Sequence, residues 1–238
     1  MISVITVTYN ARHLLPETIA SVQAQTGMAV EHLIIDGNST DGTANWLREQ
    51  NFPLVRWISE PDSGIYDAMN KGLDRAKGNW ILFICAGDVI LPGVLEKVAP
   101  LLTNDLDLLA GHSLQTGSGR FIGTFSDAIL VSNLIHHQAA FYNQRVFENF
   151  RYDTQLRAMS DYELNLILFL RRSQVRIIDL DMSRCAEQGI SAGMWQSLLE
   201  SNRIKYRHLG FWKGTKYGLI LVWKYGVIYL KSIKRKHL

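Results

Sequence analysis

Residues 78–90 read GNWILFICAGDVI, and this stretch decides the fold. Trp80–Ile84 is an unbroken apolar run of strand length, the small-residue turn Cys85–Ala86–Gly87 ends it, and Asp88 follows. The same unit, an apolar strand that stops at polar or acidic residues, recurs toward the N-terminus. Ile2–Thr8 reads as a buried strand running into Tyr9–Asn10, followed by a helix over Ala11–Gln25 that Pro16 can enter in its first turn. Glu31–Ile35 is a second strand, Thr43–Gln50 a helix, Leu54–Ser59 a third strand and Ile65–Ala76 a helix. Strands alternating with helices predict right-handed crossovers and an α/β fold built on a mainly parallel sheet with helices on both faces.

After residue 100 the pattern loosens. Leu106–Ala110, Gln138–Tyr142 and Val175–Leu180 have strand character, Gly111–Gly123 is a glycine-rich loop or small hairpin, and Met159–Leu170 is a helix. The expected organisation is one domain over 1–200, with a nucleotide-binding half (1–105) and an irregular substrate-facing half (106–200), followed by a basic extension over 201–238.

Four acidic clusters fall where such strands end or helices begin: IIDGNSTDGT (34–43), SEPDSGIYDAMNKG (59–72), FICAGDVI (83–90) and SDYELNL (160–166). A carboxylate-lined sheet rim suits a metal-bound phosphate better than bare anion binding. Asp88 is the sharpest metal candidate, because Mg2+ or Mn2+ takes oxygen ligands and can bridge a carboxylate to a substrate diphosphate; the plain alternative is a turn aspartate. Asp36, at a strand end, can bond a ribose or base, whereas Asp41 reads equally as a helix cap. Tyr66 and Asn70 share one helix face, and Asp67 and Lys71 can form a surface ion pair. Asp161, at a helix start, is a candidate general base or a cap, with Glu163 as its rival. His137 and Gln138 can contact phosphate or sugar hydroxyls, or His137 can be structural.

The 238-residue chain has a formal net charge of +3 that conceals an asymmetry. Residues 201–238 carry ten Lys or Arg and no Asp or Glu. Two cysteines give no disulfide framework and fit a reducing compartment. ISVITVTYN has no basic leader or cleavage motif, so secretion is not expected. GxxxxGK[ST], GxGxxG and GxSxG are absent, and with an acidic body nucleic-acid binding is not expected. The segment FWKGTKYGLILVWKYGVIYL (211–230) is interrupted by Lys213, Lys216 and Lys224, which suits an interfacial helix or an ordinary terminal helix rather than a span.

Together, ISVITVTYN, HLIIDGNSTDGT, SEPDSGIYDAMNKG, GNWILFICAGD, HQAAFY and SDYELNL closely resemble the family 2 glycosyltransferases of bacterial capsule, colanic acid and O-antigen assembly, over roughly residues 2–190. The resemblance implies a GT-A fold and inverting sugar transfer from a UDP- or GDP-sugar. The implied acceptor is a saccharide carried on a polyprenyl diphosphate, met by a cytoplasmic protein at the inner membrane surface, and a homodimer stays open. By resemblance, Thr8, Tyr9, Asn10 and Asp36 approach the nucleoside and Asp62 its base or ribose. Tyr66, Asn70, Lys71 and Gly87 join the donor site, His137 and Gln138 serve diphosphate or acceptor, Asp88 binds the metal and Asp161 is the base. The family's DxD-like motif matches Ala86–Gly87–Asp88, so its first acidic position is filled by alanine. Two alternatives follow: a polyprenyl-phosphate sugar transferase, and a catalytically weak nucleotide-sugar-binding assembly protein.

Overall fold

A computed structural model describes residues 1–50, 52, 54–117, 119–186 and 193–236, with backbone alone over 228–236. Strands β1 (Ile2–Thr8), β2 (Val30–Asp36), β3 (Val55–Ser59) and β4 (Trp80–Cys85) alternate with helices α1 (Leu15–Gln23), α2 (Thr43–Glu49) and α3 (Ile65–Leu73). Then come β5 (Val89–Ile90), α4 (Val94–Val98), β6 (Leu108–Gln115), β7 (Gly119–Phe121), β8 (Ala140–Asn143), α5 (Ser160–Leu170), β9 (Val175–Cys185) and α6 (Met194–Lys236). The nine strands found among the described residues form one sheet in the order β3-β2-β1-β4-β8-β6-β9-β5, with β7 paired to β6. β1 runs parallel to both β2 and β4, and β2 parallel to β3. β8 is antiparallel to β4 and β6, while β9 is parallel to β6 and antiparallel to β5. The result is the expected mixed, mainly parallel sheet of the GT-A and Rossmann-like kind, with an irregular C-terminal region.

Period-two alternation divides the central strands between two cores. Ile5, Val7, Leu33, Ile35, Ile81 and Phe83 point to one face, where they meet Met69 and Leu73 of α3 and Leu164 and Leu168 of α5. Val4, Trp80, Leu82 and Ile84 point to the other, against Val22 of α1 and Leu95 and Val98 of α4, and Ile34 packs there with Leu15, Ile19 and Leu47. Each fully buried aliphatic side chain contributes roughly 1.5–3 kcal/mol.

The elements differ from the sequence expectation mainly at their ends. The first helix begins at Leu15 rather than Ala11, with proline in its first turn. The strand expected to stop at Ala110 continues to Gln115, crossing register shifts around His112, and the glycine-rich stretch closes as the β6–β7 hairpin. The strand expected to stop at Leu180 likewise continues to Cys185. Both extensions have one cause: β6 and β9 pair with each other, so their polar residues are carried by the ladder.

Helix α6 breaks at Gly210, whose φ of 73° and ψ of 176° lie outside the helical region and favour glycine. The chain reverses there. Gly214 lies against Tyr206 and Gly218 against Asn202, and the Tyr206 hydroxyl meets Thr215 Oγ1 at 3.3 Å. The arms 194–209 and 211–236 are therefore an antiparallel helical hairpin, its close approach allowed by two glycines. The first arm is fastened to the region where α5 begins. Glu200 accepts the backbone N–H groups of Arg157, Ala158 and Met159 at 2.8, 2.9 and 3.1 Å.

Candidate active site

β1 has β2 on one side and β4 on the other: the chain winds outward from β1 through β2 to β3, then returns to β4 across β1, so the winding reverses between β1 and β4. A crevice opens outside the strand ends at such a switch point. Here it is a cleft of about 750 Å3. Thr8, Tyr9, Asn10 and His13 line it from the β1 end, Gly37, Asn38 and Thr40 from the β2 end, Asp62 and Gly64 from the start of α3, and Cys85 and Ala86 from the β4 end.

The walls are built by side chains bonding their own loops. Asn10, with φ 49°, accepts Thr40 N–H at 2.8 Å on Oδ1 while its N–H donates to Ser39 Oγ at 2.7 Å. Asp36 is fully buried: it accepts the Ser39 hydroxyl, the Ser39 N–H at 3.1 Å and the Ser59 hydroxyl at 2.6 Å. Its carboxylate shapes the turn instead of lining the cleft. Asp41 accepts Arg12 N–H at 2.9 Å and the N–H and hydroxyl of Thr43 at 3.1 and 2.6 Å. Burial acts to raise its carboxyl, but these bonds from Thr43 and Arg12 outweigh it and hold it below the usual range. Asp62 is raised, first by burial, against the N–H of Gly64. A Cβ on Gly37 would stand 2.5 Å from Asp62 Oδ2, so the wall closes only around glycine. Thr8 Oγ1 is buried without a hydrogen-bond partner, an open polar valence at the cleft floor.

The α3 residues divide. Tyr66 is buried, stacks on Tyr152 at 5.4 Å, and its hydroxyl donates to Asp161 Oδ1 at 3.2 Å. Asn70 spends both ends of its amide on the backbone of Tyr152, at 2.9 and 3.0 Å, outside the cleft. Lys71 donates to the Pro61 carbonyl at 2.5 Å and pairs with Glu60 at 3.3 Å and Asp67 at 3.9 Å, tying down the loop that carries Asp62.

Deeper in, a second group joins the cleft at Cys85. Asp88 is 3% exposed and accepts Cys85 N–H at 2.8 Å and Ala186 N–H at 3.1 Å, one on each oxygen. Burial pushes its carboxyl up, against the N–H of Cys85, the nearby His137, the N–H of Ala186 and a hydrogen bond from Gln138. The preceding Gly87 (φ 96°) donates its N–H to Thr18 Oγ1 at 2.8 Å.

Asp161 stands in the first turn of α5, where the helix dipole favours a negative charge. Its Oδ1 accepts Tyr66 OH and the Tyr162 N–H at 2.8 Å. Its Oδ2 accepts Asn133 Nδ2 at 3.1 Å and lies 3.4 Å from His137 Nδ1, while His137 Nε2 is 4.0 Å from Cys85 Sγ. Burial drives the Cys85 thiol well up, with Asp88 and Asp161 adding to the effect. His137 and Cys85 thus link the two carboxylates in one chain of contacts, Asp161–His137–Cys85–Asp88, which meets the cleft at Cys85. Glu163, the other acid of the segment, is turned away: Arg207 Nη1 and His208 Nε2, both in α6, hold it at 2.7 Å.

Sequence reasoning missed Asn133 and Tyr152. Asn133 sits in SNLIHHQ without a spacing that marks it, and Tyr152 follows an irregular loop; only the tertiary fold brings either to the site.

The family model described as Glycosyl transferase family 2 matches residues 3–172. The chain belongs to glycosyl transferase family 2. A PGL/p-HBAD biosynthesis glycosyltransferase of Mycobacterium tuberculosis (strain H37Ra) is 33% identical to this glycosyltransferase over 178 residues, 71% of this chain and 70% of that protein. The uncharacterized glycosyltransferase YibD of Escherichia coli K12 is 32% identical over 45% of this chain and 32% of its own length. Among solved structures, S. aureus TarS 1-349 in complex with UDP superposes with a TM-score of 0.69 at 19% identity, covering 87% of this chain and 64% of that one. The mannosyltransferase PcManGT from Pyrobaculum calidifontis, in complex with GDP-Man and Mn2+, gives 0.62 at 18% over 87% and 61%. This transferase therefore spans less than two thirds of both solved chains, and the likeness to them is one of fold.

Of Ala86–Gly87–Asp88, Asp88 alone carries a carboxylate. No group of three His, Cys, Asp or Glu side chains able to hold a metal ion occurs among the described residues. Asp88 still fits as a single ligand. Its hydrogen bonds from Cys85, Ala186 and Gln138 leave one of about four carboxylate lone-pair positions open to a cation. Mg2+ ordinarily takes one or two protein carboxylates and fills its shell with water and substrate phosphate.

Proposed function

We propose that this family 2 enzyme transfers a sugar, with inversion, from a UDP- or GDP-sugar to a hydroxyl of a lipid-linked saccharide in bacterial cell-surface assembly. The observation that carries the reading is the contact chain Asp161–His137–Cys85–Asp88, which reaches the lining of the cleft at Cys85. The nucleoside occupies the outer cleft between Thr8–Asn10 and Asp62, with the unpartnered Thr8 hydroxyl available to it. Asp36 and Lys71 act through the loops they hold.

Asp161 takes the proton of the acceptor hydroxyl. The freed oxygen forms a bond to the anomeric carbon from the face opposite the nucleotide, and the carbon–oxygen bond to the diphosphate breaks, its electron pair leaving with the phosphate. Tyr66, Asn133 and the Tyr162 N–H hold the Asp161 carboxylate in place. His137 and Gln138 border the leaving diphosphate, where donors stabilise developing charge. With Mg2+ or Mn2+ present, Asp88 would hold the cation, which supplies neutralisation of the diphosphate.

Relatives support each half of the reading: solved neighbours of the same fold carry UDP or GDP-Man with Mn2+, and mycobacterial relatives are named for PGL/p-HBAD biosynthesis. Incubation with a panel of UDP- and GDP-sugars, a polyprenyl-diphosphate saccharide and Mn2+ tests it, with the product anomer read by NMR. Transfer with inverted configuration is the expected result. Donor binding with no transfer to any acceptor would favour the assembly-protein reading that Ala86 motivates, and transfer to a lipid phosphate instead would favour the polyprenyl-phosphate transferase.

A further inference from the structure

The α6 hairpin carries more exposed apolar surface than the rest of the molecule. Ten of the fifteen exposed large hydrophobic side chains among the described residues lie on it. Phe211 (67%) and Trp212 (83%) stand at its tip, edge to face at 5.4 Å, with Trp195 (74%) on the first arm and Leu219 and Trp223 (71%) on the second. Such a surface on a lone soluble domain marks a contact site.

Charge indicates what covers it. Exposed Lys213, Lys216 and Lys224 are interleaved with these aromatics, and the hairpin sequence from 201 onward has no acidic residue. Tryptophans with lysines around a short apolar stripe suit the headgroup region of an anionic bilayer, the aromatics entering the acyl boundary and the ammonium groups meeting lipid phosphates. None of the described helices is long and apolar enough to cross a membrane, so the hairpin lies on it. The hairpin also touches the site: Lys224 Nζ donates to Ser132 Oγ at 3.2 Å, and the next residue, Asn133, holds Asp161. At the other end Glu200, Arg207 and His208 grip the start of α5.

We propose that the α6 hairpin is the docking surface for an anionic lipid bilayer and that it seats the Asn133–Asp161 side of the cleft at the membrane surface. This rests on the reading of a lipid-linked acceptor and specifies how that acceptor is met.

The test is flotation of the full chain with phosphatidylglycerol/phosphatidylcholine vesicles and with phosphatidylcholine alone, together with quenching of tryptophan fluorescence by acyl-brominated lipid. Wild-type protein is expected to float with the anionic vesicles and to be quenched. Trp212→Ser/Trp223→Ser is expected to bind them about tenfold more weakly, and Lys213→Glu/Lys216→Glu to lose the preference for anionic lipid. Both are expected to keep their turnover on a water-soluble acceptor while losing transfer to a vesicle-borne one. Vesicle binding requires no turnover, so failure of sugar transfer with flotation intact would fault the enzymatic reading and leave the hairpin's role standing. Absence of wild-type flotation and quenching would overturn the proposal. So would a wild-type dimer in light scattering that the tryptophan variant dissociates, since the face would then be covered by a second copy.

Discussion

Asp161 accepts three hydrogen bonds, two of them from distant parts of the chain. Tyr66 comes from α3, Asn133 from the loop before β8, and the Tyr162 N–H from its own helix. Of these, Asn133 is the one whose removal leaves the core intact, because its side chain otherwise bonds only Asn165 and the Ile135 N–H. Asn133→Ala is expected to lower kcat roughly tenfold, about 1.4 kcal/mol and near the low end for one hydrogen bond to a charged group, with KM for donor unchanged. Steady-state kinetics checks it; an equal change in KM would make Asn133 a binding residue. At this scale residue type marked Asp88 after a strand and Asp161 at a helix start, and the fold connects the two through Cys85 and His137. The sequence was not legible for Asp36 or Asn70, whose side chains are consumed by Ser39, Ser59 and the Tyr152 backbone. Nothing in spacing reports which polar groups a loop will satisfy internally.

Elements were legible where periodicity is strong. β1, β4 and α3 carry long apolar patterns and fall close to their expected bounds. β6 and β9 did not, since their outer halves are polar and persist only through pairing with one another. The hairpin was hidden for another reason: a single glycine reverses a helix whose pattern is otherwise continuous, and only the positive φ of Gly210 reveals it. Its arms meet at Gly218, where an added Cβ would come within 2.7 Å of Asn202 Oδ1. Gly218→Leu should force the arms apart and destabilise the protein by about 1–3 kcal/mol, read as a lower urea midpoint. An unchanged midpoint would mean that the arms do not pack on one another.

At the scale of the molecule, one buried histidine links the sheet to pH. His32 in β2 bonds Thr6 Oγ1 at 2.7 Å through Nε2, its Nδ1 has no partner, and burial lowers its pKa from 6.5 to about 3. The unfolded chain then binds a proton that the folded chain refuses, between those two values. The resulting contribution to stability is complete above pH 6.5 and is lost as pH falls toward about 3. Urea midpoints should decline through that window, and His32→Gln should decline less steeply; parallel declines would locate the acid sensitivity elsewhere. The same sheet carries the cleft at its strand ends.

The central claim is that Asp161 removes the acceptor proton while the cleft holds the nucleotide independently of it. Single-turnover transfer by Asp161→Asn, with donor affinity measured calorimetrically on the same sample, tests it most directly. The account requires donor affinity within about twofold of wild type and a transfer rate lowered by 10²–10⁴, the usual worth of a general base, to roughly that extent. Transfer at the wild-type rate would contradict it.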